Sequence, residues 1–437
     1  MWRKVKLNDG FGNQTGGFRM EQIFITNLII QKVRHLNNIS IPLGENQIKH
    51  LILTGKNGSG KTSVVEALAD YLNNAFTDEY FDEREIWLNN SRTQRELGLQ
   101  NAKDKGEILQ LEKRVSENER QFNQSRKGLN VTFNQKTSNL WTLKEKHHYV
   151  LAYYPAYRIF EAIKPLHVEK VQLKEDYQIS EFPRSEFVKY LLDLKVTEAL
   201  ARNNKNVEKA DSIQLWFEKL EQLLKQIFDD SSIELLFDEE TFDFHISQDG
   251  KELFDFNTLS SGYQAVLDIV LDMIMRMESQ THRSFNFNLS GIVLIDEIET
   301  HLHLELQKNI MPLLTTIFPN IQFIVTSHSA FILNSLENVV IYDLENHLLV
   351  ENGLDNIPYD GIVEGYFRAD KLSNSLKTKF DRYKSLIKKE SLSDDEINEV
   401  AELEWYLDEI PDYLSISIST EYQRLKLEFM NREELDG

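Results

Sequence analysis

The eight residues from Gly55 to Thr62, GKNGSGKT, constrain this chain more tightly than any other stretch. They match G-x-x-x-x-G-K-[ST], in which glycines let successive backbone N–H groups curl around phosphate oxygens while the next helix points its positive end at them. Before the motif, HLILTG (His50 to Gly55) reads as a short buried strand; after it, SVVEALADYLNNAF reads as an amphipathic helix beginning near Lys61. A strand feeding a phosphate loop and a helix implies an α/β fold. Gly55, Asn57, Gly58, Ser59, Gly60, Lys61, Thr62 and Ser63 are the expected cradle, with Lys61 reaching the β and γ phosphates and Thr62 holding Mg²⁺.

A second anchor lies downstream. Ile292 to Ile295 is a continuous apolar run that ends in Asp296 and Glu297, the pattern of a central parallel strand buried on both faces. Two acids at the carboxyl end of such a strand need a reason. In nucleotide hydrolases the first carboxylate holds Mg²⁺ in its outer shell and the second orients or deprotonates the attacking water, so Asp296 and Glu297 take those expected roles. Leu306, Ile310, Leu313 and Ile317 then recur at helical spacing, and QFIVTSH reads as another buried strand ending at His328. A strand–helix–strand crossover makes the two strands parallel, which brings His328 to the same sheet edge as an expected γ-phosphate sensor.

One further step, LSSGYQ (Leu259 to Gln264), opens a helix in which Val266, Ile269, Val270 and Met273 form a core stripe. Small residues at Ser260, Ser261 and Gly262 would let backbone N–H groups approach a phosphate, and a serine there can also cap its own helix. Paired strands are expected over IFITNLIIQ and HLNNISIPL, starting near Gln22.

Composition narrows the classes. The 437 residues are 41% hydrophobic, enough for a large core and more than one lobe. The absence of cysteine excludes a disulfide scaffold and a thiolate metal site and suits a reducing cytoplasm. No run approaches the roughly 20 apolar residues a bilayer demands, and the polar, glycine-rich Met1 to Arg19 is unlike a signal peptide, so a cytoplasmic protein with no membrane partner is expected. A net charge of -21 argues against nucleic-acid binding over the whole surface. The local exception is Arg368 to Lys389, with eight basic residues against two acids, which reads first as the solvated face of a helix.

Together the phosphate loop, LSSGYQ, IVLIDEIE, ETHLH and VTSHS, in this order between about Gln22 and Leu344, resemble the ABC-type ATPase heads of the SMC, Rad50 and RecF superfamily. More closely they are similar to the ATPase modules of OLD-family proteins and of bacterial antiphage systems such as Septu and related retron effectors. The resemblance implies a P-loop NTPase of ABC type with a mixed β-sheet core, a helical signature lobe and a helical C-terminal extension. It implies that ATP and Mg²⁺ are the ligands and that Lys61, Glu297 and His328 serve catalysis. It also implies that Ser260, Ser261 and Gly262 complete the ATP site of a partner across a two-fold axis, giving a homodimer. His301 and His303 then read as the interface-crossing segment after the acids rather than as a metal cluster. The signature is Leu-Ser-Ser-Gly-Tyr-Gln instead of Leu-Ser-Gly-Gly-Gln, and no convincing Q-loop glutamine lies on Tyr149 to Arg158. Arg158 reads either as a nucleotide or interface contact or as an ordinary surface arginine.

The expected organisation is an N-terminal extension over 1–19 and an ATPase core with the phosphate loop over 20–83. A helical polar insertion follows over 84–148, with Ile108, Leu111, Val115 and Phe122 at helical spacing, and a core strand with its connection over 149–184. The helical signature lobe spans 185–232, the remaining core 233–350 and a helical C-terminal region 351–437. Within the second core segment a hairpin or meander turning at Asp249-Gly250 delivers the chain to Leu259. In the tail, Ile362 to Asp370 has a superficial likeness to the opening of a TOPRIM nuclease, but the following sequence is helical and lacks further carboxylates on a strand; Ser393 to Glu396 reads as a capping box. Two functions follow: an ATP-gated dimer that regulates a separate antiphage effector, such as an HNH-type nuclease or a toxin, or a RecF- or Rad50-like ATPase that clamps DNA through the basic cluster.

Overall fold

The computed structural model describes residues 22–101, 105–158, 161–165, 167–281, 283–355, 357, 361–362, 374–389, 392–408 and 421–429. The chain forms two compact units, Met1–Ile357 and Pro358–Gly437. The expected N-terminal extension lies outside the described residues, as do all but Ile362 of the TOPRIM-like stretch and the first residues of the basic cluster.

In the first unit β1 (Ile25–Val33) and β2 (Leu36–Pro42) form the expected antiparallel pair. Then come β3 (His50–Thr54), α1 (Lys61–Thr77), α2 (Glu83–Asn101), α3 (Lys105–Arg126), β4 (Leu129–Phe133), α4 (Ser138–Glu145) and β5 (Tyr149–Tyr154). Helices α5 (Phe187–Asn203) and α6 (Val207–Phe228) precede the β6 (Glu234–Asp238) and β7 (Asp243–Ser247) ribbon. The remainder is α7 (Ser261–Gln280), β8 (Ser290–Ile295), α8 (Leu304–Ile317), β9 (Ile321–Thr326), α9 (Ala330–Leu333), β10 (Val339–Asp343) and β11 (Leu348–Val350).

The central sheet has the order β11-β10-β3-β9-β8-β5. Every neighbouring pair from β10 to β5 is parallel, and β11 joins antiparallel, so the sheet is mixed as expected. Each residue of β3, β8, β9 and β10 is buried, which is why these segments are nearly unbroken apolar runs instead of alternating ones. A second sheet, β2-β1-β4, packs its alternate residues Leu129, Val131 and Phe133 into the same core. Gln322 joins the two sheets. Buried on β9, its amide donates to the Ile25 and Lys49 carbonyls at 2.9 and 2.8 Å and accepts from the Ile25 N–H at 2.8 Å, so no polar atom of it is left unpaired.

The polar insertion is not helical throughout: after α3 ends at Arg126, β4 returns to the antiparallel sheet before α4 resumes helix at Ser138. Its helices α2 and α3 lie against one another, with the expected stripe Ile108, Leu111, Val115 and Phe122 half-buried and Leu111 seated over Gly98. Between the lobe and α7 the chain makes a meander. It reverses first at residues 239–242 and again at Asp249-Gly250, where Ile246 bridges Phe254. Helix α7 is buried nearly all round, not along one stripe. Its Glu278 accepts from Tyr190 Oη at 2.7 Å, Trp216 Nε1 at 3.0 Å and the Phe285 N–H at 2.6 Å, which fastens the α5–α6 lobe to the core.

The second unit packs helices Asn374–Ile387, Asp394–Asp408 and 421–429 around Tyr383, Leu386, Val400, Leu403 and Tyr422. Ser393 and Glu396 form the expected capping box, at 3.1 and 3.4 Å. The basic helix is largely paired. Arg382 makes a two-pronged bond to Glu399 at 2.8 and 2.6 Å, Lys384 meets Glu421 at 2.7 Å, Lys389 meets Glu396, and Lys379 lies over the Tyr406 ring.

His50, at the head of the phosphate-loop strand, supplies a pH test. It is buried, and its Nδ1 accepts from the Phe323 N–H at 3.1 Å, which requires the neutral ring. Burial lowers its pKa from 6.5 to about 4. The contribution is therefore complete above the ordinary value and is lost as pH falls towards 4, by about 3 kcal/mol as an upper bound. Melting curves taken between about pH 7.5 and about pH 4.5 should fall more steeply for the wild type than for His50→Asn, whose amide oxygen keeps the acceptor without titrating; parallel curves would count against it.

Candidate functional site

The parallel strands deliver their carboxyl ends to one edge of the sheet, and the candidate residues gather there. After β3 the chain turns through Gly55, Gly58 and Gly60, all with positive φ (130°, 86° and 100°), a backbone that side chains other than glycine rarely adopt. A Cβ on Gly60 would press on Leu36 at 2.8 Å. Helix α1 begins at Lys61 with no acid in its first turn, so no side chain of that turn offsets its positive end. Asn57 and Thr62 are exposed and Ser63 is half-buried.

Lys61 is 6% exposed and folds back on the loop, donating to the Gly55 and Lys56 carbonyls at 2.7 and 3.1 Å. Burial lowers its pKa, while the carboxylates of Glu297, Glu299, Asp296 and Asp343 act in the opposite direction. Beneath the loop, the hydroxyls of Ser59 and Thr54 are buried and make no hydrogen bond. Unpaired buried hydroxyls beside a glycine loop and a buried lysine fit an anionic, metal-bearing ligand such as MgATP.

The acids sit at the end of β8, two strands away. Asp296 is 1% exposed, and its Oδ1 accepts from the Thr326 hydroxyl at 2.6 Å. Thr326 Oγ1 in turn accepts from the Glu297 N–H at 2.7 Å. One hydroxyl on β9 thus fixes both acids. Glu297 has φ 45°, a left-handed backbone unusual for a residue with a side chain, and its Oε2 accepts from Thr300 Oγ1 at 3.4 Å. β9 ends at Thr326, two residues short of the expected His328. His328 is exposed just beyond the strand, its N–H donating to Glu299. Arg158 is not a surface arginine. It is 6% exposed and donates to the Asp296 and Glu297 carbonyls at 2.7 and 3.1 Å.

Ser260 and Ser261 are exposed at the start of α7. Ser260 holds the N-cap position but its hydroxyl makes no capping bond, so the self-cap that a serine there can form is not made. Within the chain this tip rests on the loop after the acids: a Cβ on Gly262 would meet the His301 carbonyl at 3.3 Å, and Tyr263 lies edge-on to His303. His303 Nδ1 accepts from the Leu306 N–H at 3.4 Å and caps α8.

Several site residues escaped the sequence reading. Beside the phosphate loop a cleft of about 480 Å³ is lined by His35 from the β1–β2 turn and Asn37 at the start of β2, Lys56 and Asn57, and Glu345 and His347 from the β10–β11 turn. Glu345 spans it to Lys56 at 2.7 Å, and the buried Asp343 holds the turn by accepting from the Glu345 and Asn346 N–H groups at 2.8 and 3.1 Å. An acid ending a strand parallel to β3 was the available signal.

Residues 171–334 match a family model described as AAA domain, putative AbiEii toxin, Type IV TA system. The chain is 42% identical to the retron Ec83 probable ATPase of Escherichia coli over 89 residues, 20% of this chain and 16% of that protein. It is 30% identical to the Septu protein PtuA of Bacillus mycoides (strain KBAB4) over 174 residues, 38% of this chain and 24% of that protein. The chain carries a P-loop NTPase fold. It spans less than a quarter of the length of these relatives. A solved SMC head bound to the C-winged helix domain of ScpA aligns with 76% of this chain and 98% of its own, at 13% identity and a TM-score of 0.36. The fold of the head follows from its own strand order and loops.

Thr326 gives this geometry a direct check. Thr326→Val keeps the shape but leaves the Glu297 N–H and Asp296 Oδ1 without their partner, at a cost of about 1–3 kcal/mol. Urea unfolding midpoints should drop for Thr326→Val and hold for Thr326→Ser; equal midpoints for all three proteins would contradict the shared hydroxyl.

Proposed function

We propose that this head binds MgATP, closes against a second copy around two shared nucleotides, hydrolyses them and thereby regulates a separate effector in antiphage defence, such as a nuclease or toxin. The observation that carries the reading is the meeting of Lys61 with Asp296, Glu297 and Glu299 at one sheet edge, while the tip of α7 stands exposed with its serine hydroxyl unused. In this reading Gly55 to Ser63 cradle the phosphates and Lys61 swings from the loop carbonyls to the β and γ oxygens. Glu297 orients or deprotonates the attacking water, and His328 contacts the γ-phosphate. Thr62 and Asp296 would hold Mg²⁺, which when bound would supply Lewis-acid stabilisation of the phosphoryl oxygens. Ser260, Ser261 and Gly262 bring a hydroxyl and a helix N-terminus to the partner's γ-phosphate. The nucleoside occupies the cleft between His35 and His347.

The names of the relatives support the defence setting, and the pairing of Arg382, Lys384 and Lys389 with acids of their own unit weighs against a DNA clamp built on that helix. The test is Glu297→Gln. Turnover should fall about 10²- to 10⁴-fold, the range of a lost general base, while ATP binding persists. Light scattering should then report a stable dimer with ATP and a monomer without it. A variant that stays monomeric at saturating ATP would refute the shared-site reading, and undiminished turnover would remove Glu297 from its role.

A further inference from the structure

Glu297 holds its place in a backbone conformation that costs a residue with a side chain about 1–2 kcal/mol, so the surroundings must impose it. On the amino side its N–H is held by Thr326 Oγ1 at 2.7 Å. On the carboxyl side its carbonyl accepts from Arg158 Nη2 at 3.1 Å and from the Thr300 N–H at 3.0 Å. Arg158 Nη1 reaches the preceding carbonyl, that of Asp296, at 2.7 Å and the Pro155 carbonyl at 2.9 Å. One planar fork therefore spans consecutive peptide groups, which the point charge of a lysine cannot do. Burial disfavours the guanidinium charge, and the carboxylates of Asp268, Asp296 and Glu299 oppose that. Asp268 belongs to α7, the helix whose tip carries Ser260 and Ser261, and is itself paired with Arg184.

We infer that Arg158 is a positioning residue: by gripping the carbonyls of Asp296 and Glu297 it fixes the peptide planes on both sides of Glu297 and so the direction of its carboxylate. Its consequence for turnover rests on the ATPase reading above; its consequence for the acid turn does not. Neither the phosphate loop nor the cleft beside it depends on this fork, so loss of Arg158 should separate turnover from nucleotide affinity.

The experiment compares the full chain with Arg158→Ala and Arg158→Lys by hydrogen exchange and by ATPase kinetics. Exchange should quicken about tenfold or more in peptides covering Asp296 to Thr300, with no change over Gly55 to Val65. The kcat should fall about 10- to 100-fold, the loss typical of a misplaced group, with KM for ATP within about threefold. Millimolar guanidinium should restore part of the turnover of Arg158→Ala, while urea at the same concentration should not. An unaltered acid turn in either folded variant overturns the inference, as does a fall in ATP affinity that matches the fall in turnover. If Arg158→Ala fails to fold, Arg158→Lys decides alone, since it keeps the charge and loses the fork. If the wild type does not hydrolyse ATP the proposed function fails, and exchange at the turn still decides the role of Arg158.

Discussion

The parallel pairing of β3, β9 and β8 is the constraint on which the rest of the head depends. Side-by-side parallel strands end at one edge, so the loop after β3, the acids after β8 and the turn after β9 must share it. Thr326, on the strand between, converts that proximity into fixed geometry, because one hydroxyl can both donate to a carboxylate and accept from an N–H. The pairing in turn depends on burial from both sides: with the core helices on its faces, the sheet leaves no polar residue free on these strands except those that end them.

Electrostatics explains why such an edge is stable before any nucleotide arrives. Lys61 can carry its charge into a buried place because loop carbonyls accept hydrogen bonds from its ammonium and four carboxylates oppose the effect of burial. A second buried group of charges, Arg184, Asp268, Asp272 and Arg276, lies along α7, where Asp272 accepts from Tyr154 Oη at 2.8 Å and Arg276 Nε at 2.7 Å. Arg158 stands between the two groups. The helix that presents the serine tip thus shares the electrostatic surroundings of Arg158 through Asp268, and its tip rests on the segment that follows the acid turn.

Most of the head was legible in the sequence because its signals are local. The phosphate loop is a string of required glycines, the β8–α8–β9 crossover is two apolar runs around one helical period, and the capping box is a four-residue pattern. What stayed hidden depends on contacts between distant segments. Nothing around Thr326 distinguishes it from an ordinary strand threonine until β8 is laid beside β9. Arg158 looks like a solvent arginine because its acceptors are carbonyls, which every residue has. Strand β4 was read into the helical insertion, since five residues with two polar positions carry little strand signal until β1 supplies the partner. At Ser260 the sequence left two readings, since a serine at a helix start can cap it, and only the structure shows the hydroxyl making no cap bond.

An unengaged tip on one face of a head and a phosphate loop with unpaired hydroxyls are two halves of one pocket if two chains face each other. The absence of native cysteine allows that claim to be tested without background. One preparation would carry Asn57→Cys and another Ser260→Cys, mixed and treated with a short bismaleimide. The account predicts a crosslinked heterodimer that forms with MgATP and not without it. Absence of the crosslink at saturating ATP, or equal yield with no nucleotide, would contradict it.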